Sequence, residues 1–386
     1  MGTFISLDPG NIDSAVYWRY HDEPRAAARK PQTTMTHTAG LSIVVATCNR
    51  PARLATLLDS FLRLESPGLP YEVIVVDNGP TDDTRAEVER FAARASMPVR
   101  YAVESRRGVS HARNTGVDLA SHTVVAFTDD DQHVAPDWLV ATARAFRDHP
   151  EIDVVVGSVQ PHWSQPPPDW LTHEWWGAAG LIDRGSQPFR ISRNRWMCLP
   201  GGNMAWRRAG FLALGGFSPR CPRSEDRELT VRYLLTGKEG WYAPDMVVFH
   251  HRDGAQLTKA FFRDWYRTEG FMRARFGGEE LFTPDGYLRP IPPDTPKILG
   301  VSRYVYRQWL NAIRAYFVAR VRLRALDAFR HEARVVFLSS YLRRRIELTE
   351  TPGGPFIHRV GAAMARRRTE RAPAVPSPGS RADPVN

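Results

Sequence analysis

The sequence predicts an α/β protein with a mainly parallel sheet flanked by helices, followed by an added helical region towards its C-terminal end. Apolar runs of strand length alternate with segments of helical period from residue 41 to residue 156. Such alternation is typical of doubly wound sheets, in which crossover helices cover both faces of parallel strands. The chain has 386 residues, of which 42% are hydrophobic. This is enough apolar material for a large core and too much for a disordered protein.

Five strands and four helices are predicted in the first half of the chain. The strands are residues 41–46, 71–76, 99–103, 123–127 and 152–156. The run at 41–46 is continuously apolar, as expected of a strand buried on both faces, and 71–76 is expected to be a second buried strand. The helices are residues 52–64, 82 to about 95, 109–119 and 136–149. Asn49 and Pro51 supply a cap and a first-turn proline to the first helix.

After residue 159 the regular alternation ends. Strands are predicted at residues 199–206 and 241–249, helices at 224–236 and 257–276, and a helical stretch broken at most once at 303–345. We expect an N-terminal extension at 1–40, a catalytic domain at 41–276 with halves 41–159 and 160–276, and a basic helical region at 277–371. Residues 372–386, rich in Ala, Pro and Ser, are expected to be a disordered tail.

Composition excludes several classes of protein. Three cysteines cannot form a disulfide framework in a chain of this size, which indicates a reducing, cytoplasmic compartment. Neither an apolar run long enough to span a membrane nor a signal-peptide pattern occurs. The net charge of +10 arises in residues 301–386, which hold 17 arginines against six acids. A nucleic-acid footprint covering the whole chain would not be distributed in this way.

Acidic residues follow two predicted strands at the points where those strands end. Asp77 follows strand 71–76, and Asp129, Asp130 and Asp131 follow strand 123–127. Both sets are expected at one crevice, because carboxyl ends of parallel strands meet at one edge of the sheet. Three adjacent acids repel unless a cation stabilises them, and Mg²⁺ or Mn²⁺ carrying phosphate would do so. The alternative is a set of acids that only cap helices and turns.

Glycine-rich phosphate loops are missing from the βα turns. No GxGxxG or GxxxxGK[ST] element occurs there, which argues against a dinucleotide-dependent oxidoreductase and a P-loop enzyme. A GxSxG nucleophile elbow is also absent.

Six short motifs succeed one another between residues 41 and 276. They are LSIVVATCNR at 41–50, VVDNG at 75–79, GVSHARNTG at 108–116, FTDDD at 127–131 with PDWL at 136–139, GGNM at 201–204 with GGF at 215–217, and SED at 224–226. Together they resemble glycosyltransferase family 2, the inverting enzymes of the GT-A fold. Two departures are Ala46-Thr47-Cys48, where the family usually has a proline, and the segment 218–223, which lacks the usual acids.

The resemblance implies a metal-dependent inverting glycosyltransferase of hexosyltransferase type, as in polysaccharide biosynthesis. It would move a sugar from a nucleotide-sugar donor to a hydroxyl of a glycan, lipid-linked or small-molecule acceptor. Asp226, beside Glu225, would be the general base, although both acids could instead complement a helix dipole. Asp131, in the DxD motif, and His250 would bind Mn²⁺ or Mg²⁺. His251 competes with His250, because neighbouring side chains of a strand point opposite ways.

Eight further residues are implied as donor contacts by the same resemblance. Arginines suit the diphosphate because they bind phosphate in bidentate fashion. The residues are Thr47, Arg50, Asp77, Arg113, Asp129, Asp130, Gly202 and Asn203.

The C-terminal helical stretch has its own charge pattern. An apolar stripe, Tyr306, Leu310, Ile313, Phe317 and Val321, is expected opposite a basic side with Arg303, Arg307, Arg314 and Arg322. A basic amphipathic helix is typical of binding to an anionic membrane surface. Arginine runs at 343–345 and 366–368 add to the charge. The expected location is therefore the inner face of the cell membrane, peripherally; the alternative is a helix packed on the catalytic domain.

Two competing functions remain open from the sequence. A sugar nucleotidyltransferase would also use a parallel sheet and metal-binding carboxylates, but it normally carries a glycine-rich, lysine-containing loop that residues 46–53 do not provide. A nucleic-acid-binding protein acting through the basic tail is the other alternative. The motifs favour the glycosyltransferase, for which no nucleic-acid partner is expected.

Overall fold

The computed structural model describes residues 37–80, 82–221, 223–276, 279, 295–348, 350–351 and 354–355. Most of the predicted N-terminal extension, the arginine run 366–368 and the tail 372–386 lie outside the described residues. The three cysteines are free thiols.

Four parallel strands form the first half of a nine-stranded sheet in the order β3-β2-β1-β4. They are β1 (Thr38–Thr47), β2 (Tyr71–Asp77), β3 (Val99–Val103) and β4 (His122–Asp129). The helices in this half are α1 (Pro51–Phe61), α2 (Asp82–Ala92), α3 (Val109–Leu119) and α4 (Trp138–Asp148). Register pairs Thr47 with Asp77 and Ala46 with Asp129, so these strands end level with one another. The predicted α/β fold with a parallel core is confirmed.

The second half of the sheet is mixed. Its strands are β5 (Gln132–Val134), β6 (Val154–Trp163), β7 (Phe189–Ile191), β8 (Asn203–Arg207) and β9 (Gly240–Arg252). β8 lies antiparallel between β4 and β6, β9 runs parallel to β6, and β5 and β7 pair antiparallel with β9. Two helices accompany them, α5 (Arg208–Ala213) and α6 (Glu225–Leu235). Strands β5 and β7 and helix α5 have no counterpart among the predicted elements, because each is short.

Three long helices complete the described part of the chain. They are α7 (Lys259–Arg273), α8 (Arg303–Val321) and α9 (Ala325–Leu348), and the predicted helical stretch is indeed broken once. Short 3₁₀ turns lie at His173–Trp175, Gly254–Leu257 and Ala274–Phe276, and short strand pairs β10 (Lys297–Ile298) with β11 (Val301–Ser302) and β12 (Glu350–Thr351) with β13 (Gly354–Pro355). Among the described residues, no helix has the length and apolarity needed to cross a membrane.

Alternating side chains of the strands fill two cores, one on each face of the sheet. In β1, Ile43 and Val45 point into one core and Val44 into the other. The first core continues to the C-terminal helices, because Trp175 stacks on Phe329 of α9 at 4.7 Å between ring centroids. A Cβ at Gly270 of α7 would overlap the backbone oxygen of Phe337 in α9. The inner side of α9 therefore packs against the body of the protein, as the alternative for the tail supposed.

Candidate active site

The carboxyl ends of β1, β2 and β4 place Thr47, Asp77 and the acid triplet along one edge of the sheet. Asp77 is fully buried, and its two carboxylate oxygens accept hydrogen bonds from Gly79 N and Tyr101 Oη, each at 3.0 Å. Next to it, Asn78 binds the loop that leads into α3. Its Nδ2 donates to the carbonyl oxygens of Glu104 (2.7 Å) and Arg106 (2.8 Å). The β2 terminus and this loop therefore form one rigid wall.

Asp130 faces the β1–α1 loop. Thr47 Oγ1 donates a hydrogen bond to its Oδ2 at 2.9 Å, and Arg50 Nη1 lies 3.2 Å from its Oδ1. Burial raises the pKa of Asp130 to about 6, although Arg50 and Thr47 act in the opposite direction. The middle acid of the triplet therefore fixes Thr47 and Arg50 in place.

Asp131 is surrounded by cations. Its Oδ1 lies 3.1 Å from His250 Nε2, and its Oδ2 lies 3.5 Å from Arg53 Nη1 and 3.6 Å from Arg50 Nη1. Burial alone would raise the pKa of Asp131, but His250, Arg252 and Arg50 hold it well below its ordinary value. Basic side chains thus balance the negative charge of Asp131 in this structure. Because its pKa is lowered, Asp131 is ionised at neutral pH.

The two adjacent histidines of β9 face opposite ways. His250 is buried, with Nδ1 3.2 Å from the carbonyl oxygen of Gly180 and Nε2 towards Asp131. His251 lies on the other side with His133, whose Nδ1 is 2.9 Å from His251 Nε2, and with His162. Of the two histidines, His250 is the one whose side chain faces the Asp131 carboxylate.

The residues present fit a divalent metal bound partly by the protein. His250 Nε2 is buried and makes no well-aligned hydrogen bond to a described residue, although a carboxylate oxygen is 3.1 Å away. Imidazole nitrogen and carboxylate oxygen are both accepted by Mn²⁺. Within the described residues, no group of three or more His, Cys, Asp or Glu is arranged to hold a metal. Further ligands would have to come from a bound phosphate and water, as Mg²⁺ commonly requires.

Arg113 joins the two halves of the site. Its Nη2 donates to Asp129 Oδ1 at 2.6 Å, and its Nη1 donates to Glu225 Oε1 at 2.8 Å. The guanidinium is buried, and these carboxylates raise its pKa against the effect of burial. A Cβ at Gly201 would lie 2.7 Å from Arg113 Nη1, and one at Gly202 would lie 2.5 Å from Asp129 Oδ2. A side chain at either position would therefore displace Arg113 or Asp129 from this pair.

Asp226 lies in the first turn of α6, next to Glu225. Its Oδ2 is 3.4 Å from Gly201 N and its Oδ1 accepts from Arg227 N at 2.7 Å. Burial and then the nearby Glu269 raise the pKa of Asp226, against Arg113 and Arg227. Burial likewise raises the pKa of Glu225. A carboxylate with a raised pKa is suited to accept a proton near neutral pH.

Glu269 of α7 supports the start of α6. Ser224, which precedes α6, has a left-handed backbone with φ of 68° and donates its hydroxyl to Glu269 Oε2 at 2.6 Å. Arg273 Nε donates to the other oxygen of Glu269 at 2.6 Å, and Arg227 Nε lies 3.6 Å from it. Glu269 thereby secures a strained residue beside Asp226. No motif points to this residue, since its partners are distant in sequence.

Asn203 differs from its expected role as a donor contact. It is fully buried, its Nδ2 donates to the carbonyl oxygens of Ser158 and Met246, both at 2.8 Å, and its Oδ1 accepts from Trp138 Nε1 at 2.9 Å. These bonds tie β8 to its neighbour β6, to β9 beyond it and to α4. The side chain holds the sheet together below the crevice, where it is engaged on both its nitrogen and its oxygen.

Other residues of the site also escaped prediction. Arg53 bridges Asp131 to Asp253, 3.0 Å away, and Arg252 Nη2 lies 2.8 Å from His250 Nδ1. Gln132 Oε1 accepts from Thr128 Oγ1 at 3.0 Å and from Asp129 N at 3.2 Å. Proximity to the motifs at 41–50 and 127–131 is the signal that could have identified Arg53 and Gln132.

Known proteins are similar to the part of the chain that holds the motifs up to residue 204. A family model described as "Glycosyl transferase family 2" matches residues 42–212. The glucosyl-dolichyl phosphate glucuronosyltransferase of Haloferax volcanii is 27% identical over 161 residues, 42% of this chain and 50% of that protein. The PGL/p-HBAD biosynthesis glycosyltransferase of Mycobacterium tuberculosis is 33% identical over 144 residues, 37% of this chain and 52% of that protein. The matches thus span about half the length of these relatives.

Two solved structures also match this chain over most of its length. The mannosyltransferase PcManGT from Pyrobaculum calidifontis, in complex with GDP-Man and Mn²⁺, has a TM-score of 0.46 and 19% identity, covering 92% of this chain and 89% of that one. S. aureus TarS 1–349 in complex with UDP-GlcNAc has a TM-score of 0.46 and 18% identity, covering 79% and 90%.

Proposed function

We propose that this protein, whose residues 42–212 belong to glycosyltransferase family 2, transfers a sugar from a nucleotide-diphosphate sugar to an acceptor hydroxyl with inversion at the anomeric carbon. One observation carries the proposal. Buried Arg113 joins Asp129, at the end of β4, to Glu225, beside Asp226 at the start of α6. This bridge holds the DxD motif and the candidate base in one crevice, although they are 95 or more positions apart in the chain. Asp77 lies at the far wall of the same crevice.

The nucleotide would lie along the ends of β1 and β2. Asp77, Thr47 and the wall made by Asn78 offer the polar contacts that a base and ribose need. Arg113 is engaged with two carboxylates and buried, so its role is to position Asp129 and Glu225. Arg50 has 53% of its side chain exposed and is the cation better placed for the diphosphate.

Asp131 and His250 are the residues that would hold Mn²⁺ or Mg²⁺. The metal would supply Lewis-acid stabilisation of charge on the departing diphosphate. The Asp131 carboxylate is ionised, and His250 Nε2 makes no well-aligned hydrogen bond to a described residue. Both groups are therefore available to bind a cation. Arg50 and Arg53 occupy the second carboxylate oxygen of Asp131 and orient it.

Asp226 would act as the general base. The acceptor oxygen attacks the anomeric carbon while its proton passes to the Asp226 carboxylate. The bond between the anomeric carbon and the diphosphate oxygen breaks, and the nucleoside diphosphate leaves with the electron pair. Because this is a single displacement, the configuration at that carbon inverts.

A lipid-linked glycan is the acceptor class we propose, with the protein bound peripherally to a membrane. One relative carries a dolichyl phosphate acceptor in its name, and the described helix α8 presents both arginine and apolar side chains to solvent. A lipid-linked acceptor would require the crevice to work close to a membrane surface.

A donor screen tests the proposal. Purified protein is incubated with a panel of UDP-, GDP- and dTDP-sugars, with Mn²⁺, Mg²⁺ or EDTA, and release of nucleoside diphosphate is measured. We expect one donor class to be hydrolysed only with metal, and Asp226→Asn to remove the release. Cleavage to a nucleoside monophosphate, or no cleavage of any donor, would contradict the proposal; formation of a sugar nucleotide from a sugar phosphate and a nucleoside triphosphate would indicate the nucleotidyltransferase.

A further inference from the structure

The turn between α8 and α9 exposes a cluster of large apolar side chains. Leu323 is 90% exposed, Val321 83% and Phe317 61%. Val318, near the end of α8, is 43% exposed, and Leu326, at the start of α9, is 47% exposed. We call these five residues the hairpin tip. Single exposed apolar residues are ordinary on protein surfaces, but five within positions 317–326, around one turn, indicate a surface that is covered in the working protein.

Helix α8 presents arginines on the same face as its exposed apolar residues. Val305, Ala312 and Ala319, spaced by seven, form the seam buried against the body. The opposite, exposed face carries Leu310, Phe317 and Val321 interleaved with Arg303, Arg307 and Arg314. The expectation that these arginines lie on another side was wrong, because the side opposite the apolar stripe is the packed one. Interleaved arginines can extend over an apolar surface with their charges outward.

The charge of this segment has a single sign. Residues 303–326 contain six arginines and no aspartate, glutamate or lysine. Arg314, Arg320 and Arg322 form no ion pair with any described residue. The run at 343–345 differs: Arg345 is buried, and Arg343 and Arg344 both pair with Glu347. Unneutralised positive charge is therefore concentrated around the hairpin tip and not at 343–345.

The backbone of the hairpin tip is strained at Leu323. Leu323 has a φ of 54°, a left-handed conformation that favours glycine or asparagine and disfavours leucine. Its side chain gains almost no burial in return, being 90% exposed. A leucine held in a strained conformation and pointing into solvent is explained if that side chain is buried by a partner.

We infer that the hairpin tip and the exposed face of α8 dock on an anionic lipid bilayer. The apolar side chains would enter the boundary between headgroups and acyl chains, and Arg314, Arg320 and Arg322 would contact the headgroup phosphates. A nucleic acid would satisfy the arginines but leave Val321 and Leu323 exposed, so the chemistry favours lipid. The inference gives the peripheral association proposed above a definite surface, and it does not depend on which donor the crevice binds.

Vesicle sedimentation tests the inference with the 386-residue chain. We expect binding to vesicles of phosphatidylcholine with 30% phosphatidylglycerol at low salt, little binding to pure phosphatidylcholine, and release at 0.5 M salt. Replacing Arg314, Arg320 and Arg322 by Gln should weaken binding about fivefold per charge, on the order of a hundredfold together. The matched control replaces Arg90, Arg147 and Arg343, all more than 60% exposed, and should retain most of the binding.

A second variant separates membrane contact from folding. Leu323→Asn accepts the left-handed backbone, so its thermal stability should equal or exceed that of the wild type, while its vesicle binding falls. Donor hydrolysis is measured in parallel without vesicles and should be unchanged in both hairpin variants. Equal binding by the arginine variant and its control, or no wild-type binding at low salt, would overturn the inference. Binding of RNA or DNA in place of vesicles, lost in the arginine variant, would assign the surface to nucleic acid instead. Failure of hydrolysis with intact vesicle binding would count against the proposed activity alone.

Discussion

Replacing Arg113 by Gln tests how the two halves of the site are held together. Among the ion pairs of the described residues, Arg113 is the only cation that contacts both Asp129 and Glu225. Its removal leaves two carboxylates facing each other without the bridging charge. Breaking a buried pair by removing one partner destabilises a protein by about 3–5 kcal/mol.

The two carboxylates do not contribute equally to that loss. Asp129 has 32% of its side chain exposed and can recover hydration, whereas Glu225 has 10% exposed and cannot. We therefore expect a loss near the lower end, about 3 kcal/mol of unfolding free energy at pH 8.

The loss should depend on pH with a definite sign. Burial already raises the pKa of Glu225 above its value in the unfolded chain, and removing Arg113 raises it further. A carboxyl whose pKa is higher in the native state than in the unfolded chain binds its proton more tightly when folded. Its ionisation therefore destabilises the fold least in acid, and this destabilisation grows as the pH rises from the unfolded pKa through the native pKa. The destabilisation by Arg113→Gln should therefore be smaller at pH 5.5 than at pH 8.

Urea denaturation at the two pH values measures this effect. The control is Arg190→Gln, which breaks an exposed pair with Glu151 at 2.6 Å and should change the unfolding free energy far less than Arg113→Gln at either pH. Adding Glu225→Gln to Arg113→Gln should recover part of the stability, because the uncompensated charge is gone. Equal losses at both pH values, or no recovery in the double variant, would refute the reasoning.

Three further predictions concern individual side chains. Asp226→Asn should lower kcat roughly 10²–10⁴-fold with little change in donor affinity, since a base acts in the transition state; steady-state kinetics and calorimetric donor binding check this, and a collapse of donor binding would make Asp226 a binding residue. Asp131→Asn should abolish the tightening of nucleoside-diphosphate binding by Mn²⁺ while leaving metal-free binding intact, by calorimetry with the exposed Asp59→Asn as control; unchanged Mn²⁺ dependence would exclude Asp131 as a ligand. Glu269→Gln removes a charge that raises the pKa of Asp226, so the acidic limb of the kcat profile should move to lower pH; a profile that keeps its position while stability falls would leave Glu269 a purely structural role.

Local sequence patterns were sufficient for the parallel part of the fold. Strands 71–76 and 99–103 and helix 109–119 appear at or within one residue of their predicted bounds, because each is a local run whose period depends only on its own residues. The acids after β2 and β4 meet at one sheet edge for the same reason, since chain direction in a parallel sheet fixes where strand ends lie.

Long-range pairing accounts for what the sequence did not reveal. Arg113 and Glu225 are 112 positions apart and Ser224 and Glu269 are 45 apart, so no local pattern connects them. The motif at 201–204 implied that Asn203 contacts the donor, but only the surrounding strands show that its amide nitrogen donates to Ser158 and Met246. The seam of α8 likewise became visible only when its packing against α9 was known, because small residues, Ala312 and Ala319, form the buried side.

The stereochemical course of donor cleavage tests the central claim most directly. Proton NMR follows the anomeric signal of the sugar released from the hydrolysed donor before mutarotation, for wild type and for Asp226→Asn. We predict that an α-linked donor first yields the β-anomer, with Mn²⁺ or Mg²⁺ required and the signal lost in Asp226→Asn. First release of the α-anomer, or an undiminished signal from the Asn variant, would contradict single displacement by a crevice that uses Asp226 as its base.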